Sequence, residues 1–473
     1  MMLLFHVELL RFLRHKTNLI ILAFAFIIFS TSAIWSSLEA NAYRMHADEK
    51  QVEWMQYPED EKRFIQEEAL EENEESPVAA RRAFELGRTN TPPALKPALD
   101  GLALGIQQFT KLPSDVRVSI LSRHIDGRKS DGDVINNPLL LGVGLPDFSV
   151  VLALLIPLCI IGLSYGLVQE AREQGIWRII CAQHSAPWKI LAVALSVRFI
   201  AIVAVTGFAI ILAYMIDSAS SMTAYTLFFL AVFVYCFIWI LIVGIMNLFR
   251  ITSAASVLSL LSLWLFLTYI IPSSLFYSTQ ILEPSPSQIK AFIDLRNITI
   301  ESEDETDTLI REWYAMNPNY IPKSFNPYGY RLETFYISFI PRYMKQDTMI
   351  STQMNAIDII RAKREKVLES WAWTSPVLAL VLTANKLSGG SATQHALYIH
   401  DVNDFEKEWK DFLIPKIMSV HGLHMEDINS LPVFEATVHK EFDSIIMLFV
   451  RQFVMIFILF IFFFKYKCML ARP

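Results

Sequence analysis

The two long polar stretches of this chain, roughly residues 37–146 and 277–443, contain no cysteine; Cys159, Cys181, Cys236 and Cys468 all fall in or beside apolar runs. No disulfide framework therefore holds the polar stretches, even in an oxidising compartment. Charge is scarce as well: Asp, Glu, Lys and Arg make up 19% of the residues, where a soluble domain has about a quarter. The net charge of -6 comes with no basic stripe interleaved with aromatics, so a nucleic-acid surface is excluded. Catalytic signatures are missing too. There is no G-x-x-x-x-G-K-[ST] to cradle nucleotide phosphates, and neither G-x-S-x-G nor H-E-x-x-H occurs. The chain is expected to carry no catalysis and no cofactor of its own.

What is present is apolar. Hydrophobic residues make up 53% of the chain, and ionisable groups gather in dense patches such as EDEKRFIQEEALEENEE at 59–75. That is the composition of a membrane protein with polar insertions. A spanning helix needs about 20 mostly apolar residues, and six segments qualify: about 18–36, 147–168, 190–216, 222–247, 253–276 and 444–464. Lys and Arg flank the first span at Arg11, Arg14 and Lys16, the second at Arg172, Arg178 and Lys189, the fourth at Arg250 and the sixth at Lys465, Lys467 and Arg472. By parity these flanks share one side, which the positive-inside rule makes cytoplasmic. Both termini are then cytoplasmic, and the insertions at 37–146 and 277–443 lie outside.

The N-terminal segment has two readings. Basic residues, an apolar core and LEANA at 38–42 resemble a cleavable secretory signal; the long core and the patterned residues before it favour a retained span. In LLFHVELLRFLRHK, Glu8, Arg11 and Arg14 share a helical face beside Leu4, Val7, Leu10 and Leu13. Residues 1–16 are thus expected to form an amphipathic helix in the cytoplasmic interface.

Few ionisable groups fall inside spans. Arg198 is the clearest candidate for an intramembrane role, against a reading as a snorkelling anchor; Arg451 poses the same choice. Pro157 interrupts the hydrogen-bond ladder of the second span and is expected to kink it. HGLHMED at 421–427 spaces His421, His424 and Asp427 three apart, a weak candidate for a divalent ion against a polar helix face. His395, His400 and Asp401 invite the same pair of readings. The first insertion is expected to continue span one as a helix over about 37–86, ended by Pro92 and Pro93, with LKPALDGLALGIQQF as a packing segment. In the second, NPNYIPKSFNPYGYRLETFYISFIPRYM at 317–344 precedes expected helices at about 345–372 and 401–418.

YGLVQEAREQGIWRIICAQ at 165–183 follows the second span directly. Glu170, Arg172 and Glu173 mark the exit from lipid, Gly175 permits a change of direction, and Ile176, Trp177, Ile179 and Ile180 give a short helix with an apolar side. AREQGIWRII at 171–180 resembles the E-R-E-x-G-T-L-x-x-L-L segment in permease subunits of type 2 ABC exporters. Arg172, Glu173, Gly175 and Arg178 match it; Ala171, Ile176 and Trp177 depart from it. The resemblance implies a coupling helix at about 169–187 that docks on a cytoplasmic ABC ATPase subunit, and an elbow helix at residues 1–16.

A narrower resemblance runs along nearly the whole chain. It is similar to a subfamily of these permeases, known only as a domain of unknown function, with large extracytoplasmic insertions after spans one and five. TPPALKPALDGLALGIQQFTKLPSDVRVS at 91–119, IIPSSLFYSTQILEPSPSQ at 270–288, SPVLALVLTANKLSGGSATQH at 375–395 and FEKEWKDFL at 405–413 carry it, in the family's order. It implies an all-α polytopic protein of the bacterial inner membrane: elbow 1–16, span one at 17–36, insertion 37–146, spans two to five within 147–276, insertion 277–443, span six at 444–464 and a tail at 465–473. A homodimer, or a heterodimer with a related permease, would work with ATPase subunits that hold the ATP and Mg and drive export or mechanical work on a periplasmic partner. The alternative is a non-transporting scaffold or signalling protein whose caps recruit envelope proteins. Nothing in the chain supports a membrane enzyme.

Overall fold

The computed structural model describes residues 2–68, 75–95, 102, 115–121, 147–183, 186–218, 221–285, 288–324, 326–328, 334–435, 437 and 441–471. Among the described residues six helices are long and apolar enough to cross a membrane, and each carries one of the expected spans.

Helix α1 (Met2–Arg14) precedes α2 (Lys16–Glu68), whose 53 residues include no glycine and one proline, Pro58. At 1.5 Å per residue α2 is about 80 Å long, far more than a hydrocarbon core of about 30 Å. Its apolar first half packs on α4 (Phe148–Ser164) and α7 (Trp188–Ile216). Where it leaves the bundle it is fixed to the turn after α7. The Asn41 amide donates to the Ile216 carbonyl at 2.8 Å, and Arg44 pairs with buried Asp217 at 2.5 Å. The helix expected to reach residue 86 is interrupted: α2 ends at Glu68, residues 69–74 lie outside the described ones, and α3 (Pro77–Thr89) starts afresh. Ser76 caps it through the Ala79 amide, with Pro77 at a first-turn position that needs no donor.

The bundle core is apolar and aromatic, built chiefly from α2, α4, α7 and α8 (Met222–Met246). Pro157 lies inside α4; the carbonyl four residues earlier, Ala153, accepts the Tyr235 hydroxyl of α8 at 2.5 Å instead. The fifth span runs as α9 (Ser253–Leu265), a π-helical turn Phe266–Ile270, and α10 (Ile271–Leu282). Pro272 lies in the first turn of α10, and the helix continues beyond it to Leu282.

The second insertion begins with α11 (Gln288–Asp304), α12 (Thr306–Met316) and the long α13 (Phe335–Ser370), which covers the expected helix at 345–372 except for its last two residues. It continues with α14 (Pro376–Ser388), α15 (Ala392–Met418), which contains the expected 401–418, and α16 (Met425–Asn429). The last span is α17 (Phe442–Tyr466). Helix α14 does not belong to the polar part. It packs into the bundle against α4, α8 and α17, and its N-cap Ser375 donates to the Leu267 carbonyl at 2.7 Å, midway along the fifth span.

The two insertions share one core, in which Phe84 and Leu86 of α3 meet Tyr336, Tyr398, Trp409 and Leu413. The Trp409 indole donates to the Gly87 carbonyl at 3.2 Å and the Tyr398 hydroxyl to the Ala94 carbonyl at 2.5 Å. Gly422, at φ +76°, lets the chain pass so close to α3 that an added Cβ would lie 2.6 Å from the Ala79 backbone. Among the described residues a short antiparallel pair, β1 (Pro93–Leu95) with β2 (Asp115–Arg117), departs from the all-α expectation, with Pro93 opposite Arg117. Most of LKPALDGLALGIQQF lies outside the described residues. The exceptions are Leu95, in β1, and Leu102, which is buried and whose carbonyl accepts the Ser149 amide at 3.1 Å.

Candidate coupling turn

The connection after α4 is two short helices rather than one: α5 (Gln169–Glu173) and α6 (Ile176–Gln183). Gly175 between them has φ +76°, a left-handed conformation that a side chain would strain. A Cβ there would meet nothing within 4 Å, so the requirement is conformational, not steric.

Asn247, at the end of α8, locks the start of this connection. Its carboxamide oxygen accepts the Val168 amide at 3.1 Å, and its nitrogen donates to the Ser164 and Val243 carbonyls at 3.2 and 2.9 Å. Gln169 adds a bond to the Met246 carbonyl at 3.2 Å. These groups are buried, where an unpaired amide is costly. Neither Asn247 nor Gln169 stands out in the sequence; the available signal is a lone polar residue closing an apolar span in GIMNLFR.

The residues of this turn divide into two sets. Arg172 donates to the Phe249 carbonyl at 2.7 Å and lies over the Trp177 ring at 5.9 Å. Glu173 accepts the Ser253 amide at 2.7 Å, placing a carboxylate at the first turn of α9, where free amides and the helix dipole favour it. Trp177 is 3% exposed, and its indole donates to the Leu470 carbonyl at 3.1 Å in the 3-10 turn Lys467–Ala471 that follows α17. These three join the turn to the two other connections at this end of the bundle. Ile176 and Ile179, in contrast, are 46% and 59% exposed, and Arg178 is exposed beside them. The result is a bracket bonded inward by its charges and its tryptophan, with an apolar ridge facing outward.

Arg198 joins α7 to α4 and α1. It is buried in α7, donating to the Leu163 and Ala194 carbonyls at 2.8 Å each and pairing with Glu8 of α1 at 2.9 Å. Its guanidinium also lies 5.4 Å from the Phe12 ring centre. Arg451 donates to the Glu369 carbonyl and the neighbouring Gln452 to the Ala372 carbonyl at 3.2 Å, tying α17 to the turn that leads into α14.

His421, His424 and Asp427 do not share a helical face: α16 begins only at Met425. Asp427 is occupied by the His424 amide at 2.9 Å and the Lys416 ammonium at 2.6 Å. Of the second trio, His395 faces Asp358 at 3.8 Å, His400 faces Asp404 at 3.1 Å and Asp401 accepts from Thr437. Among the described residues no group of three or more His, Cys, Asp or Glu is arranged to hold a metal ion.

A buried charge cluster at the mouth of α14 is absent from the sequence-based candidates. Lys386 pairs with Glu369 at 2.7 Å and with Glu441, while Glu365 accepts the Thr393 amide at 2.8 Å. Burial pushes the Glu365 carboxyl up to about 7, with Glu441 and Glu369 adding to the rise and Lys386 and the Thr393 amide opposing it. Burial by itself would lower Lys386, but the surrounding carboxylates raise it and keep it charged.

Residues 288–437 match the model of a domain of unknown function, DUF3526. The match covers most of the second insertion, with α14 inside it, and does not include the turn at 165–183. No curated protein and no solved structure matches the chain.

Proposed function

We propose that the chain is the membrane-spanning permease subunit of an ABC exporter, with α5 and α6 as the element that meets a separate cytoplasmic ATPase. The observation that carries this reading is the division within the turn: Arg172, Glu173 and Trp177 are committed to internal bonds, leaving Ile176, Ile179 and Arg178 outward. A rigid bracket with an exposed apolar ridge transmits a push from a soluble partner to three spans at once, because its bonds reach the connections after α8 and α17. In this reading the bracket end is cytoplasmic and the joint core of the insertions is the outer cap, where it would meet cargo or a periplasmic partner. ATP and Mg belong to the partner subunit. The test is co-purification of the full chain with the ATPase encoded beside it, against the Ile176→Glu/Ile179→Glu variant. A variant that keeps the ATPase removes the docking role from this ridge.

A further inference from the structure

Helix α1 has one face on the bundle and one open. Phe12 is buried, Phe5 and Leu9 pack against the core, and Glu8 turns in to Arg198. The open face carries Val7 and Leu10, 56% and 41% exposed, and Arg11 and Arg14. Together with His15 and Lys16 at the start of α2, these residues line an open groove of about 490 Å³.

The electrostatics of the groove are one-sided. Glu8 is the sole acid among the first 38 residues, and it is already paired with Arg198 at 2.9 Å, reaching Arg11 only at 3.8 Å. The elements packed against α1 add no acid: α7 contains none, and α2 has none before Glu39. Arg11, Arg14 and Lys16 are thus exposed cations with an unneutralised field at the helix corner.

Two features choose the ligand. The groove mixes cations with exposed Val7 and Leu10, so it suits a molecule that is anionic and apolar together. It also lies where the membrane-crossing stretch begins, because Leu19, Ile20 and Phe24 of α2 continue its exposed apolar surface. That is headgroup depth, where Lys and Arg meet lipid phosphates and apolar side chains meet acyl chains.

We propose that this groove holds an anionic phospholipid, its phosphate between Arg11, Arg14 and Lys16 and its acyl chains along Val7, Leu10 and the exposed side of α2. The site fixes the corner between α1 and α2 to the membrane surface and needs no exporter activity.

The test is native mass spectrometry of the full chain, delipidated in detergent and titrated with phosphatidylglycerol or phosphatidylcholine. One phosphatidylglycerol should be retained in preference to phosphatidylcholine. Arg11→Gln, Arg14→Gln and Lys16→Gln should each weaken it about fivefold, the weight of one basic residue at an anionic surface. Arg11→Lys/Arg14→Lys should retain it. If the triple neutralised variant fails to fold, the single variants carry the comparison. Equal retention by neutralised variants overturns the site. Displacement of the lipid by millimolar inorganic phosphate also overturns it, since the groove would then take a free anion.

Discussion

The Tyr235 hydroxyl occupies the hydrogen-bonding position that Pro157 empties. Proline at 157 gives α4 no amide to bond back to the Ala153 carbonyl, and in an apolar bundle that carbonyl has no water to turn to. Tyr235, in the facing helix α8, reaches it at 2.5 Å. The interrupted ladder thereby becomes a specific contact between two spans. Tyr235→Phe should lower stability by about 1–3 kcal/mol, the cost of an unpaired buried polar group. In a Pro157→Ala background the helix can bond its own carbonyl, so the same substitution should cost clearly less. Thermal unfolding of the four proteins in detergent measures this; equal costs in both backgrounds would separate Tyr235 from the proline.

Arg198 and Glu8 form a second cross-element pair, and its removal should be non-additive. Either substitution alone leaves a charge with its main counter-charge gone, and breaking a buried pair costs about 3–5 kcal/mol. Glu8→Gln leaves Arg198 buried with the carbonyls of Leu163 and Ala194 but no counter-charge. Arg198→Met leaves Glu8 with Arg11 at 3.8 Å. The double variant removes both charges, so its loss should fall short of the sum of the single losses by about 1–3 kcal/mol. Strict additivity would mean that the pair is not a working contact.

The coupling turn predicts a separation of stability from docking. Trp177→Ala removes a 3%-exposed indole and its bond to Leu470, and should cost about 3–5 kcal/mol, as other buried Trp truncations do. Ile176→Glu/Ile179→Glu acts on exposed positions and should shift unfolding by no more than about 0.5 kcal/mol per site. Under the exporter reading only the second variant loses the ATPase while keeping its unfolding profile. A ridge variant that unfolds like the Trp177 variant would place these isoleucines in the core of the turn.

The six spans are legible in the sequence because twenty apolar residues in a row have few alternative fates, and α2 is legible because it holds no glycine and a single proline, Pro58. Helix α14 is not: PVLALVLTANKLS is 13 residues, about 20 Å of helix, too short to count as a span although apolar enough to enter the bundle. Within the turn, the change of direction at Gly175 follows from the sequence, but the use made of each charge does not. Arg172 and Glu173 look outward-facing in a linear reading. Their partners are the Phe249 carbonyl and the Ser253 amide, backbone groups roughly eighty positions away that no side-chain pattern announces. The charge cluster stayed hidden for the same reason: Glu365, Lys386 and Glu441 come from three separate elements and meet only where α14 re-enters the bundle.

That cluster gives the molecule a pH dependence of definite sign. Glu365 has its carboxyl raised from 4.5 to about 7, so the folded chain holds a proton that the unfolded chain releases. Its stabilising contribution is complete below about pH 4.5 and is lost as pH rises through about 7. Above that, Glu365, Glu369 and Glu441 face the single ammonium of Lys386 with two negative charges in excess. The unfolding temperature in detergent should fall by about 2–4 °C between mildly acidic and mildly alkaline buffer. Glu365→Gln keeps an acceptor for the Thr393 amide without the titration, and should flatten the slope and unfold later than wild type on the alkaline side. An unchanged slope in that variant would assign the pH dependence to another group.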